Sequence, residues 1–106
     1  MPKYLVRASL TSDGVNGVLK EGGSGRREAV TALAKSVGGS LDAFYFAFGD
    51  DDVYAILDLP DSVSAAAASL TVSGSGIVRS NVVVLLTPEE VDEAAKKTVA
   101  YRAPGA

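Results

Sequence analysis

Leu41 to Leu59 reads LDAFYFAFGDDDVYAILDL, two alternating runs on either side of one acidic turn. In the first run Phe44, Phe46 and Phe48 oppose Ala43, Tyr45 and Ala47, and aromatic residues at this density pack best on a pleated, half-buried surface. In the second, Val53, Ala55, Leu57 and Leu59 alternate with Tyr54, Ile56 and Asp58. Gly49-Asp50-Asp51-Asp52 between them is turn chemistry, so the stretch predicts a hairpin of strands over Leu41–Phe48 and Val53–Leu59, with Pro60 ending the second.

Each side of this hairpin carries a helix and then a further strand. On the N-terminal side, Tyr4, Val6, Ala8 and Leu10 alternate with Leu5, Arg7 and Ser9, which predicts a strand over Lys3–Leu10. Ser12 or Asp13 can cap a short helical turn bearing Val15, Val18 and Leu19, and Gly22-Gly23-Ser24-Gly25 predicts a break. Val30, Leu33, Ala34 and Val37 then recur at helical spacing, so the first main helix is expected over Arg26–Val37, ended by Gly38-Gly39. On the C-terminal side, Asp61 or Ser62 caps an alanine-rich helix whose stripe reads Val63, Ala66, Ala67 and Leu70, and Ser73-Gly74-Ser75-Gly76 releases the chain. Ile77–Leu86 is the last strand. Thr87-Pro88-Glu89-Glu90 has the threonine N-cap, first-turn proline and N3 glutamate of a capping box, predicting a terminal helix over Pro88–Thr98.

The order β-α-β-β-α-β fits one α+β architecture. Short connections and right-handed crossovers give a ferredoxin-like antiparallel sheet of four strands in the order 4-1-3-2, with both main helices on one face and an extra C-terminal helix. With 106 residues the chain has room for one such domain, expected over residues 1–98, followed by an aperiodic tail over 99–106. Two helices cover one face of the sheet only. Yet on the last strand Val78, Val82, Val84 and Leu86 occupy one side while Ile77, Val83 and Leu85 occupy the other, where a water-facing sheet would alternate apolar with polar. A homo-oligomer, dimer or higher, is therefore expected to cover the second face.

Composition removes whole classes of chemistry. The chain has no cysteine and no histidine, which excludes disulfides, thiol nucleophiles, imidazole bases and metal or haem sites built on either residue; no cofactor or metal is expected. Ten basic and 13 acidic residues are scattered without a basic patch, so nucleic acid is not an expected partner. No run approaches the roughly 20 apolar residues of a membrane span, no apolar leader develops after Lys3, and a cytoplasmic location is expected.

Three candidate sites follow. Asp50-Asp51-Asp52 offers carboxylates to a hard cation, but it lacks the alternating ligands and distal glutamate of a calcium loop and reads first as a solvated turn. Gly22-Gly23-Ser24-Gly25-Arg26-Arg27 offers amides and guanidiniums to an anion, but it lacks the P-loop pattern and reads first as a connector. The third is the uncovered sheet face, where alternation projects Arg7, Ser9, Tyr54, Asp58, Arg79 and Asn81 together, with Tyr45 beside them. Polar groups set among apolar strand residues are the usual lining of a small-molecule pocket. The competing reading has Arg7 or Arg79 paired with Asp58 across the interface, fixing register and binding nothing. No catalytic residue is assigned, because Lys20 and the serines show no pairing that would activate a nucleophile.

The chain resembles the GYD-domain family of small bacterial proteins over nearly all of residues 3–96. The likeness rests on Thr11 and Gly14, Gly38-Gly39, Phe44-Tyr45, Gly49 and Asp52, Asp58, Pro60-Asp61 and Val78-Arg79, taken in order and spacing. In the turn that names the family, tyrosine normally precedes the aspartate; Asp51 stands there in this chain. The resemblance implies a ferredoxin-like fold related to the dimeric α/β-barrel proteins, and it implies no established activity. That wider group contains cofactor-free monooxygenases, so a monooxygenase-like enzyme is the alternative to a ligand-binding module, and a purely structural assembly unit is a third possibility.

Overall fold

Alternation along the first, third and fourth strands produces the expected sheet in the computed structural model, which describes residues 1–106. The elements are β1 (Lys3–Leu10), α1 (Ser12–Ser36), β2 (Ser40–Phe46), β3 (Val53–Asp58), α2 (Ser62–Gly74), β4 (Val78–Leu85) and α3 (Pro88–Ala95). The sheet order is β2-β3-β1-β4 and every pairing is antiparallel, which is the 4-1-3-2 arrangement of a ferredoxin-like α+β fold. β1 and β3 are central. β2 and β4 form the edges.

Both main helices lie on one face. Tyr4, Ala34, Ala55, Leu57, Leu59 and Ala65 form the larger buried cluster, and Ala8, Val53 and Val78 form a second one. Between the clusters, a cavity of about 70 Å³ is lined by Val30 and Leu33 of α1, Ala65 and Ala68 of α2, and Val6 and Phe44 of the sheet. Only 11 of the 106 residues are buried, and five of the ten apolar ones are alanine, valine or tyrosine on the sheet itself, so the helices cover this face thinly.

Several boundaries and faces differ from expectation. Thr11, rather than Ser12 or Asp13, caps α1: its side chain accepts from the Gly14 amide at 3.3 Å. The predicted glycine break is a kink at Gly22, whose φ of 81° lies in the left-handed region, and helix resumes at once at Gly23. β2 stops at Phe46, leaving Phe48 fully exposed, and a bulge between Leu41 and Ala43 turns Asp42 out of register. α3 ends at Ala95, although its capping box forms as expected, with the Thr87 amide donating to Glu90 Oε1 at 3.0 Å and the Glu90 amide to Thr87 Oγ1 at 3.1 Å.

The largest correction concerns α2. Val63 and Leu70 are 78% and 74% exposed, and Ala66 and Ala67 are exposed with them. The face against the sheet is Ala65, Ala68, Ser69 and Val72. In an alanine-rich helix two stripes share the same helical spacing, and the one with the smaller side chains lets the helix approach β4 more closely.

Four of the residues that carry the family resemblance sit at joints of the fold. A Cβ on Gly14 would collide with the Ile77 carbonyl oxygen, and one on Gly39 with the Asp58 carbonyl oxygen and the Leu59 side chain. Thr11 donates from both its amide and its hydroxyl to the Ile77 carbonyl, at 3.1 and 3.2 Å, tying the start of α1 to the start of β4. Asp52 clasps the hairpin to β1: its amide donates to the Ala8 carbonyl and its carboxylate accepts from the Leu10 amide, both at 2.8 Å.

Gly39→Ala is expected to cost about 1–3 kcal/mol, because backbone must move to admit the methyl group, lowering the melting temperature by roughly 4–8 °C for each kcal/mol. Gly17→Ala is its control: a Cβ there meets nothing within 4 Å, and the exchange inside α1 is expected to raise the melting temperature. Thermal unfolding of the two variants checks both signs. Asp61 caps α2 by accepting from the Ser64 amide at 2.8 Å, and this hydrogen bond holds its carboxyl below the ordinary value. The stability it confers is present above the unfolded-state pKa and is lost as pH falls through the lowered folded-state value. Asp61→Ala is thus expected to melt earlier than the parent at pH 7, with the gap closing under acid, measured by pH-dependent thermal scans.

Candidate functional site

The face of the sheet opposite the helices is assembled by cross-strand register. Tyr45 pairs with Tyr54, Tyr54 with Arg7, and Arg7 with Asn81, so one row across all four strands carries Tyr45-Tyr54-Arg7-Asn81. Residues opposite one another in a sheet share a face, and at the usual strand spacing this row spans about 15 Å. Ser9 pairs with Arg79 two positions further along. Ile56, Leu5 and Val83 form the next row on the other side, with Leu5 paired to both neighbours. An apolar strip therefore borders a row with one cation, two phenols and an amide.

Arg7 is the chemically conspicuous member. It is half-buried, its Nε is screened from solvent, and that nitrogen has no hydrogen-bond partner. No carboxylate lies within ion-pair reach of Arg7 or Arg79; the ion pairs of the chain join Lys3 to Asp42 and Asp58, and Arg26 to Glu21. A buried guanidinium nitrogen left unpaired costs free energy. Its planar fork suits a carboxylate or another pair of oxygens.

Other predicted members of the site are placed elsewhere or already engaged. Asp58 accepts from Lys3 Nζ at 3.0 and 3.1 Å, and the same ammonium bonds Asp42. Bonding to these two carboxylates raises the Lys3 pKa. Lys3 and Asp58 stand opposite each other at the far end of the face, about 13 Å along β1 from Arg7 at the normal rise per residue. Ser9 donates to Asp51 Oδ1 at 3.2 Å and so belongs to the acidic turn. Tyr54 is half-buried, while Tyr45, Arg79 and Asn81 are exposed.

The acidic turn is a structural element. Asp51 and Asp52 spend carboxylate oxygens on Ser9 and the Leu10 amide, and nowhere are three or more acidic side chains grouped as metal ligands. The glycine-arginine stretch is the kink of α1, where Phe46 packs beneath Gly23. Two features escaped the sequence analysis. Lys3 neutralises Asp58, a pairing implicit in the antiparallel register once β1 is set beside β3. Ser80 sits between Val78 and Val82 on the helix-covered face, with its hydroxyl buried and unpartnered at the cavity wall; a polar residue among inward-facing valines was the available signal.

The GYD domain family model matches residues 4–95, from the second residue of β1 to the end of α3. The chain belongs to the GYD-domain family. No curated protein and no solved structure matches the chain. Within this GYD-domain protein, the family-marking Asp52 and Gly39 act as joints, while Arg7, Tyr54 and Asn81 play no part in holding the joints together. No helix is long and apolar enough to cross a membrane.

Arg7→Met separates a functional arginine from a structural one. Exchanging an unpaired, half-buried cation for an apolar side chain of similar length is expected to leave the melting temperature unchanged or to raise it. A fall of several degrees in a thermal scan would assign Arg7 to folding instead.

Proposed function

We propose that this GYD-domain protein is a homo-oligomeric binding module that holds a small organic ligand against the open sheet face, between subunits. The observation that carries it is the unpaired Arg7 guanidinium, set in the same row as Tyr54, Tyr45 and Asn81 and beside the apolar strip of Leu5, Ile56 and Val83. An apolar wall with a few fixed polar groups is the ordinary make-up of a small-molecule site. Arg7 supplies a fork for a carboxylate or comparable anionic group. Tyr54 and Asn81 flank it as hydrogen-bonding partners, and Tyr45 closes the β2 end. The second subunit supplies what one sheet cannot: an opposite wall that removes the ligand's apolar body from water.

The competing role, a register-fixing pair of Arg7 or Arg79 with Asp58 across the interface, loses support because Lys3 already engages Asp58. Asp58 accordingly stands outside the proposed contact set, and Ser9 and Arg79 mark its rim.

Native mass spectrometry of the full chain tests the proposal, because one spectrum reads assembly and retained ligand together. A multiple of 10.8 kDa carrying additional small-molecule mass is expected. In Arg7→Ala the extra mass should disappear while the multiple persists. A bare monomer overturns the inter-subunit site, and an Arg7→Ala protein that loses its assembly assigns the guanidinium to register.

A further inference from the structure

Residues 86–106 contain no buried side chain, and they include the apolar Leu86, Val91, Val99 and Tyr101, all at least half exposed. The chain's radius of gyration is 16.8 Å and its longest axis 56 Å, against about 13 Å expected for the radius of a compact domain of this length. The C-terminal segment accounts for the excess by standing clear of the sheet. Its direction is fixed at the joint: only Leu86 and Thr87 separate β4 from α3, Pro88 has a locked φ, and the two-way Thr87–Glu90 capping box stiffens the first turn. These restraints hold α3 in the direction it takes, with every one of its side chains exposed.

We infer that this arm, α3 and the residues after it, seats on the open face of a second copy and forms the outer wall of the site. The inference rests on the reading above that a second copy covers that face, and it names the part of the chain that does so. Charge selects the occupant. α3 carries Glu89, Glu90, Asp92 and Glu93 and no base, whereas Arg79 stands exposed on the edge strand without a carboxylate partner. In the acidic turn at that end of the face, Asp51 and Asp52 already accept from Ser9 and Leu10. Arg79 at the rim meets the acidic helix, and Arg7, set deeper in the row, is left for the ligand.

Reach and hydropathy agree. α3 is about 12 Å long at the helical rise, and the 11 residues after it extend up to about 35 Å, more than enough to cross a four-stranded sheet. Val91, Val99 and Tyr101 supply an apolar complement to Leu5, Ile56 and Val83. In a two-fold dimer each arm would cover the other subunit's face, so the contact closes and does not propagate.

The test uses the full chain. Arg79→Glu and Glu89→Arg/Glu93→Arg are each expected to weaken dimerisation at least tenfold by analytical ultracentrifugation, and an equal mixture of the two should regain a heterodimer. Because the chain has no cysteine, Val91→Cys and Ile56→Cys can be introduced in separate chains and mixed under oxidising conditions, with a disulfide-linked heterodimer expected. Charge reversal without effect, a mixture that fails to recover, or a disulfide that forms only when both cysteines share one chain would overturn the arm assignment. If the parent dimer and its retained ligand survive charge reversal untouched, the arm fails and the inter-subunit site stands; a parent chain monomeric at about 10 μM sinks both.

Discussion

The chain builds a four-stranded sheet with apolar residues on both faces and supplies only two helices to cover it. β1 sets the terms of this imbalance. Placed in the centre, it sends Tyr4, Val6, Ala8 and Leu10 toward the helices, and Leu5, Arg7 and Ser9 away from them. Nothing in the βαββαβ order can bring a third main helix to the second face, since both crossovers take the same hand and fall on the same side. The terminal helix, which is free of that constraint, stands away from the sheet altogether. The proposed site, oligomer and arm all rest on this one uncovered surface.

Four of the residues that carry the GYD likeness hold joints of the fold. Gly14 lets α1 pass the Ile77 carbonyl, Gly39 lets the chain pass the Asp58 carbonyl, and Thr11 and Asp52 stitch neighbouring elements through backbone hydrogen bonds. Each is needed for its size or for a specific bond, so any sequence adopting these connections requires similar residues there. The turn's tyrosine, replaced by Asp51 in this chain, is different: Asp51 accepts from Ser9, and the hairpin is clasped by Asp52 whether or not a phenol precedes it. Arg7, Tyr54 and Asn81 on the open face make none of these joint contacts, and one scaffold can carry unrelated functions on such a surface.

Element order, strand pairing and the capping box of α3 were legible because each has a local cause: alternation, turn composition, and a threonine-proline-glutamate run. The face of α2 was not legible. Val63-Ala66-Ala67-Leu70 and Ala65-Ala68-Ser69-Val72 have the same spacing, and only the closeness of β4 decides between them. The bulge in β2 was equally hidden, since it depends on fitting Leu41 into the core while Asp42 turns toward Lys3. Alternation assembled Arg7, Tyr54, Tyr45 and Asn81 into one row, but it could not show that Asp58 on the same face was already neutralised. Patterns of period two assign faces; they do not assign partners.

The thinness of the helix-side core gives the open face energetic weight. With 11 buried residues and a cavity between its two clusters, one subunit buries little apolar surface, so its margin over unfolding is small. Against that background an unpaired, half-buried guanidinium is a cost that folding alone does not recover. A partner or ligand that binds only the folded chain adds stability by mass action, about 2.7 kcal/mol at a concentration one hundred times its dissociation constant. Coverage of the open face would thereby do two things at once: supply the acceptor that Arg7 lacks and remove Leu5, Ile56 and Val83 from water. In the proposed assembly, folding and binding would be linked through the same surface.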